Sequence, residues 1–493
     1  MKQPEKDFTS SNNIRMRYFY GVLLSLIIGI LIYFYGGSIA GDDTFIYMRY
    51  VNNINNGNGF CYNLHEKSYG TTSVLWPLLM VPITKIFGNE IEIWKLTSCF
   101  FGVLKSLIVF LFLSSLNLNL IKSFFFTFFS FLEPHTFRWL SSGMENSVSI
   151  FFLTLTAIIY YKCNQTESNS NLILLGLVIG ILPFLRPELA LFSLGIIIFY
   201  VFNKRNKSFL ILLSAFLSVL FFSTLTYLIT GFLIPQTAEA KAIGLFNGHI
   251  YAFTQTLKII ISGTLGAIIL LFLLRNYKLK SSSWNWITII SLVLLIIYLT
   301  SIGQLISTRY ALFLCTPLIL ASTISLAEIS NNKISNKIIS SIVIQLSIFL
   351  IVLIYVFPST RLSEEKDVRI MAEYSVNNLP SNSRIALTEI GAYGYYTNFY
   401  IIDMIGLVDT ITLDWIKKYG RPKNISELEK LLIFRNATHF IDCFSKQEEL
   451  RGENINFTLL KTVKVVRNNL SSGNPLESFW RLYSISVKNQ VSN

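Results

Sequence analysis

From residue 18 to residue 357 the chain is a succession of apolar runs separated by short polar segments, and beyond 358 the runs stop. Roughly 20 helical residues cover a hydrocarbon core of about 30 Å, so each long run reads as a membrane-spanning helix. The pattern predicts about eleven spans, at 18–39, 95–114, 121–140, 144–161, 171–185, 187–202, 208–230, 252–274, 284–304, 310–328 and 335–357. A further apolar stretch, 73–88, is short and holds Pro77, Pro82 and Lys85. It reads as a re-entrant or interfacial helix as readily as a span. After 358 polar and apolar positions alternate. Helices are expected at 362–379 and 426–434, the second opened by Ser426 as N-cap, and strands at 383–389, 400–406, 438–444, 459–466 and 481–487. The chain therefore divides into a polytopic α-helical membrane domain, 1–357, with a first polar loop at 40–94, and a soluble α/β domain, 358–493.

Composition supports the division. Hydrophobic residues make up 52% of the 493 positions and charged ones only 14%, with a mean hydropathy of +0.52; a soluble globular chain carries about 25% charge. The net charge of +13 calls for no nucleic-acid partner, because Lys and Arg accumulate in the cytoplasmic loops of membrane proteins. With the N-terminus inside and 73–88 not crossing, the basic loops at 203–207, 275–280 and 331–337 all fall inside, with Lys122 and Lys162. If 73–88 crossed, they would all face out. The N-terminal segment, with Lys2, Lys6, Arg15 and Arg17 and no small-residue cleavage site, reads as an uncleaved first helix. Five scattered cysteines form no CxxC pair, which indicates neither a zinc site nor a disulfide framework; Cys61 and Cys443 share the outer face.

That topology, set by the basic loops alone, puts the remaining polar segments together on the outer face: 40–72, Arg138 to Glu145, 185–188, 234–244, Arg309 with Tyr310, and everything after 358. Asp42 and Asp43 directly follow the first span; one can serve as general base, or both can simply cap a helix. Arg186 and Glu188 flank Pro187 inside an apolar run and can satisfy each other, at an interface or at a functional site. Glu145 and Lys241 are similar cases. Arg309 either anchors the start of a span or clamps a phosphate. His65 and His135 have no partner at ligand spacing and read as satisfied surface residues.

The loop GDDTFIYMRYVNNINNGNGFCYNLHEKSYGTTSVLWPLL, beginning at Gly41, resembles the first external loop of GT-C-type, polyprenyl-phosphate-sugar-dependent glycosyltransferases. It is most similar to that of the mycobacterial terminal β-1,2-arabinofuranosyltransferases. The likeness continues through SGMEN around Glu145, FLRPE at 184–188, IPQTAEAK at 234–241, the RY pair at Arg309–Tyr310, and GAYGYYTNFYIIDMIGLVD at 391–409. The resemblance implies an inverting transferase that moves a sugar from a polyprenyl-phosphate donor to an acceptor cell-envelope glycan, on the outer face of the bacterial cytoplasmic membrane. In such enzymes the Asp after the first helix is the base, which points to Asp42 or Asp43, with Asp42 favoured. Matching motifs assign substrate contacts to Arg49, Tyr69, Thr71, Glu145, Arg186, Glu188, Gln236, Lys241, Arg309 and Tyr310. Asn146 and Gln236 replace a Thr and an Asn of the family pattern, so arabinose is not carried over as the sugar. The phosphate leaving group is already anionic, so Arg309, Lys241 and Arg186 can balance its charge with no metal or other cofactor. A flippase for lipid-linked sugars, and a glycan polymerase or ligase, are the rival readings. The first predicts charges at mid-bilayer and two matching halves; neither is visible.

Overall fold

The structure, a computed structural model, describes residues 11–36, 42–166, 168–242, 248–301, 308–330, 335–355, 364–445, 450–468 and 475–488. Among these, eight helices are long and apolar enough to cross a membrane: Arg15–Phe34, Ile91–Ser115, Asn146–Thr166, Lys207–Thr230, His249–Leu274, Ser282–Ser301, Thr308–Ile329 and Asn336–Ile354. The chain is a polytopic helical membrane protein. Three expected spans, 121–140, 171–185 and 187–202, are not among the eight. The stretch 121–140 breaks into Leu120–Phe129 and Pro134–Trp139, because Glu133 caps the second helix by accepting from His135 N (3.0 Å) and Thr136 N (2.5 Å), with Pro134 at its first position. The runs 171–185 and 187–202 are separate helices, Asn169–Leu185 and Pro187–Asn203. Arg186, extended at φ −155° and ψ 132°, parts them, as a residue before proline prefers to. The segment 73–88 forms a 13-residue helix, Leu75–Phe87, about 20 Å long and too short to span.

The loops sort into two ends as the charge pattern groups them. At one end Lys122 Nζ donates to Ser330 O (2.8 Å), Lys204 Nζ to Asn164 Oδ1 (3.3 Å), and Lys280 N and Ser281 N to Glu328. The other end holds the polar segments 42–73, 143–146, 186–188, 235–240 and 309–310, joined by the contacts detailed below.

Beyond residue 363, helix Glu364–Asn378 precedes a mixed five-stranded sheet of β1 (Arg384–Leu387), β2 (Tyr400–Asp403), β3 (His439–Ser445), β4 (Ile455–Asn468) and β5 (Pro475–Val487), in the order β2-β1-β3-β5-β4. β1 runs parallel to β2 and β3, while β5 is antiparallel to β3 and β4. Helix Ile425–Phe434 is capped by Asn424, which accepts from Glu427 N, and not by Ser426. Two helices with no expected counterpart, Gly391–Tyr396 and Thr410–Tyr419, follow β1 and β2. All five cysteines are free and buried. One hydrophobic core runs from the first loop into the sheet: Tyr47, Tyr62, Trp76 and Trp94 share it with Met371, Tyr393, Ile401 and Trp480.

Candidate functional site

The two adjacent aspartates open helix Asp42–Asn55 and part at once. The Asp42 carboxylate accepts from Gly391 N (2.8 Å) and Ala392 N (2.9 Å), the first amides of helix Gly391–Tyr396. Gly391 has to be glycine for this approach, since a Cβ there would overlap Asp42. Asp43 turns instead to the Arg309 guanidinium, with which it forms an ion pair. Both oxygens of Asp42, the residue favoured as base, are thus held by main-chain donors of the C-terminal part.

Asp42, Asp43 and Arg309 line a cavity of about 480 Å3 between the first loop and the C-terminal, sheet-containing part. Tyr47, Gly70, Thr71 and Thr72 contribute one wall and Thr237 another; Thr388, Glu389, Ile405, Leu407 and Arg421 close it from the sheet side. Four buried polar atoms of this lining have no hydrogen-bond partner among the described residues: Thr71 Oγ1, Thr388 Oγ1, Arg309 Nε and Arg421 Nε. Buried polar groups are usually paired, so these four atoms leave hydrogen-bonding capacity unused at the cavity. Burial pulls the Arg421 guanidinium below its ordinary value, with Asp403 opposing, and its Nη2 donates to Ala240 O (3.1 Å). Asp403 shapes the wall by accepting from Ile405 N (2.9 Å), Leu407 N and Val408 N (2.9 Å). Burial pushes its carboxyl up to about 6, while these amides act the other way.

Several residues assigned to substrate contact brace the site from behind. Arg49 is buried, donating to Tyr62 O (2.9 Å), Gly394 O (2.6 Å) and Phe399 O (2.9 Å), with its guanidinium 4.3 Å above the Tyr62 ring. It staples helix Asp42–Asn55 to helix Gly391–Tyr396 and the bend at Phe399, and lies outside the cavity lining. Gln236 Oε1 accepts from Tyr69 N (2.8 Å) while Gln236 N donates to Tyr69 O (2.9 Å). That reciprocal pair leaves neither side chain in the lining, which takes Gly70 and Thr237 next to them. Burial pushes the Tyr69 phenol up, so it stays protonated.

Glu145, Arg186 and Glu188 form a second cluster. Arg186 Nη1 donates to Glu145 Oε1 (2.7 Å) and Asn146 Oδ1 (3.0 Å), and its other nitrogens reach Glu188. The guanidinium lies 4.7 Å from the Phe313 ring centre and 5.9 Å from that of Tyr310. It is only 1% exposed, sandwiched and fully committed, so it is not an open phosphate clamp. Tyr310 is buried in the helical core beside it. The side chain of Lys241 lies outside the described residues.

Arg421, Thr388, Thr237 and Tyr47 belong to the lining without having been singled out from the sequence. Arg421 sits in a GRPK turn that looks like any solvated loop, and only the tertiary fold reveals it. Tyr395 and Tyr396 point elsewhere, donating to Asn89 O and Glu365 Oε1 (2.5 Å each). Among the described residues no three His, Cys, Asp or Glu side chains are grouped to hold a metal.

Eight apolar helices among the described residues, a core shared with a sheet-containing part and a cavity at their junction define a polytopic helical membrane protein. The particular likeness is to the ArnT of Cupriavidus metallidurans, whose crystal structure has undecaprenyl phosphate bound. The match covers 85% of this chain and 92% of that one, at a TM-score of 0.57 and 9% identity. This shows that the chain has the ArnT fold. Residues 359–472 match a family model described as a domain of unknown function, DUF8728. No curated protein sequence matches the chain significantly.

Proposed function

We propose that the protein is an inverting glycosyltransferase that moves a sugar from a polyprenyl-phosphate donor to an acceptor glycan, in the cytoplasmic membrane and with the cavity on its outer face. The observation that carries the reading is the Asp43–Arg309 ion pair at a cavity lined by four unpaired buried polar atoms. The ArnT fold, found in a protein whose structure binds undecaprenyl phosphate, supports the lipid-phosphate donor. The outward placement rests on the basic loops gathering at the opposite end.

In this mechanism Asp43 is the base and Asp42 the brace. The donor phosphate draws Arg309 away from Asp43, which releases that carboxylate from the ion pair so that it takes the proton of the acceptor hydroxyl. The hydroxyl oxygen bonds to the anomeric carbon from the face opposite the phosphate as the carbon–phosphate oxygen bond breaks. Polyprenyl phosphate departs against the Arg309 charge. Thr71, Thr388 and Arg421 hold acceptor hydroxyls.

The test is release of free polyprenyl phosphate from a panel of polyprenyl-phosphate sugars by the reconstituted protein, with and without acceptor glycan. Asp43→Asn is expected to lower the rate by about 10²–10⁴-fold, the usual worth of a general base, at unchanged thermal stability. Asp42→Asn is expected to lower thermal stability along with activity. The reverse split would exchange the two roles. If no donor is consumed, yet lipid-linked sugar crosses the bilayer equally well with wild type and Asp43→Asn, the protein is a flippase.

A further inference from the structure

At the end of the helical bundle opposite Asp43, a cavity of about 460 Å3 opens between helices His249–Leu274 and Ser282–Ser301. Helix Thr308–Ile329 fixes that placement. It carries Arg309 in its first turn and Glu328 in its last, about 30 Å apart. Glu328 accepts from Lys280 N (2.7 Å) and Ser281 N (2.9 Å), in the loop that joins the two cavity helices. Away from this loop the lining is apolar, with Ile260, Ile268, Leu271, Val293, Ile296 and, from a third helix, Leu318. At the loop it turns polar, with Arg275, Tyr277, Ser282, Asn285 and Trp286. The stretch from Trp286 to Ile296 is about 15 Å long, the depth of one leaflet of a hydrocarbon core of roughly 30 Å.

Two groups at the polar mouth have unused bonding capacity. The Arg275 guanidinium lies 4.0 Å from the Phe272 ring centre, a contact that uses none of its N–H donors. It forms no ion pair among the described residues. Asn285 Nδ2 donates to Ser325 Oγ (2.8 Å), while Asn285 Oδ1 is buried with no hydrogen-bond partner among the described residues. The mouth thus offers a cation and an acceptor above an apolar slot. No carboxylate lines it among the described residues, since Glu328 is turned to the loop amides.

We propose that this groove binds an anionic glycerophospholipid with a hydroxyl-bearing headgroup, of the phosphatidylglycerol type. One acyl chain fills the slot, the phosphate pairs with Arg275, and a headgroup hydroxyl donates to Asn285 Oδ1. Tyr277 and Trp286, the latter 62% exposed, mark the level of the headgroups, as aromatic residues do at a membrane boundary. Lys278 and Lys280 follow Arg275 in the loop, so the local field favours an anionic headgroup over a zwitterionic one. The site is distinct from the cavity at Asp43 and does not depend on the transferase reading.

The experiment reconstitutes the full-length protein in phosphatidylcholine vesicles with increasing dibrominated phosphatidylglycerol. Quenching of Trp286 is taken as the difference between each protein and its own Trp286→Phe partner. Phosphatidylglycerol is expected to occupy the groove about fivefold more tightly than phosphatidylcholine. Arg275→Gln should abolish that preference. Lys162→Gln, which removes an exposed charge from the same end, should leave it intact. Val293→Phe, whose ring fills the slot, should cut quenching by either lipid at an unchanged thermal midpoint in detergent. Equal quenching by brominated phosphatidylcholine would reduce the groove to bulk lipid contact and overturn the proposal. Equal losses in Arg275→Gln and Lys162→Gln would do the same, by making the preference a property of the whole basic surface. Displacement of the brominated lipid by undecaprenyl phosphate ahead of unlabelled phosphatidylglycerol would assign the groove to a polyprenyl chain instead, and overturn it too.

Discussion

Thr71 and Thr388 each place a buried hydroxyl at the cavity with no partner among the described residues. Removing an unpaired buried hydroxyl relieves a desolvation cost, while removing a ligand's hydrogen-bond partner loses about 1 kcal/mol or more. Thr71→Val is therefore expected to hold or slightly raise the thermal midpoint and to raise acceptor KM about tenfold, read by unfolding scans beside steady-state kinetics. A fall in stability with unchanged KM would make Thr71 a packing residue. Thr71 was legible from the YGTTS motif, and Arg309 from its position at the head of a span. The different partners of Asp42 and Asp43 were not, because they depend on amides contributed from residue 391 onward. Arg49, Tyr69 and Gln236 show the opposite limit. A motif records that a residue matters, and a buried arginine bonded to three carbonyls matters as much as one that touches substrate.

At the scale of elements, hydrophobic periodicity located the long spans and the five strands, since each is decided by its own run of residues. It missed the break at Ser130–Glu133, where apolar residues continue on both sides and only the acid-before-proline pair at 133–134 marks a new helix start. It also missed helix Gly391–Tyr396, whose GAYGYY sequence is poor in helix formers. That helix exists because Asp42 satisfies its first amides and because its glycines allow close packing. A Cβ at Gly394 would overlap the Tyr62 hydroxyl, as one at Gly391 would overlap Asp42. Gly391→Ala is accordingly expected to push this helix off Asp42 and destabilise the protein by about 1–3 kcal/mol, the usual cost of overpacking. Thermal unfolding with Asp42→Asn and the double variant checks it. The two effects should be far from additive, because both break the same contact.

For the whole molecule, the shared core predicts that the membrane and soluble parts behave as one body. A protease site inserted between residues 357 and 364 should be cut without releasing the C-terminal fragment, which should co-purify with the membrane fragment. Release on cutting would mean that the core around Tyr62, Tyr393 and Trp480 does not join them. The pairing also has a consequence for how the protein is made. Asp42 and Gly391 are 349 positions apart, and Arg421 comes later still, so a ribosome lays down the floor of the cavity long before its roof. A chain still being synthesised, or one that ends prematurely, has Asp43 and Arg309 but no pocket around them. The cavity is thus completed only in the last quarter of translation.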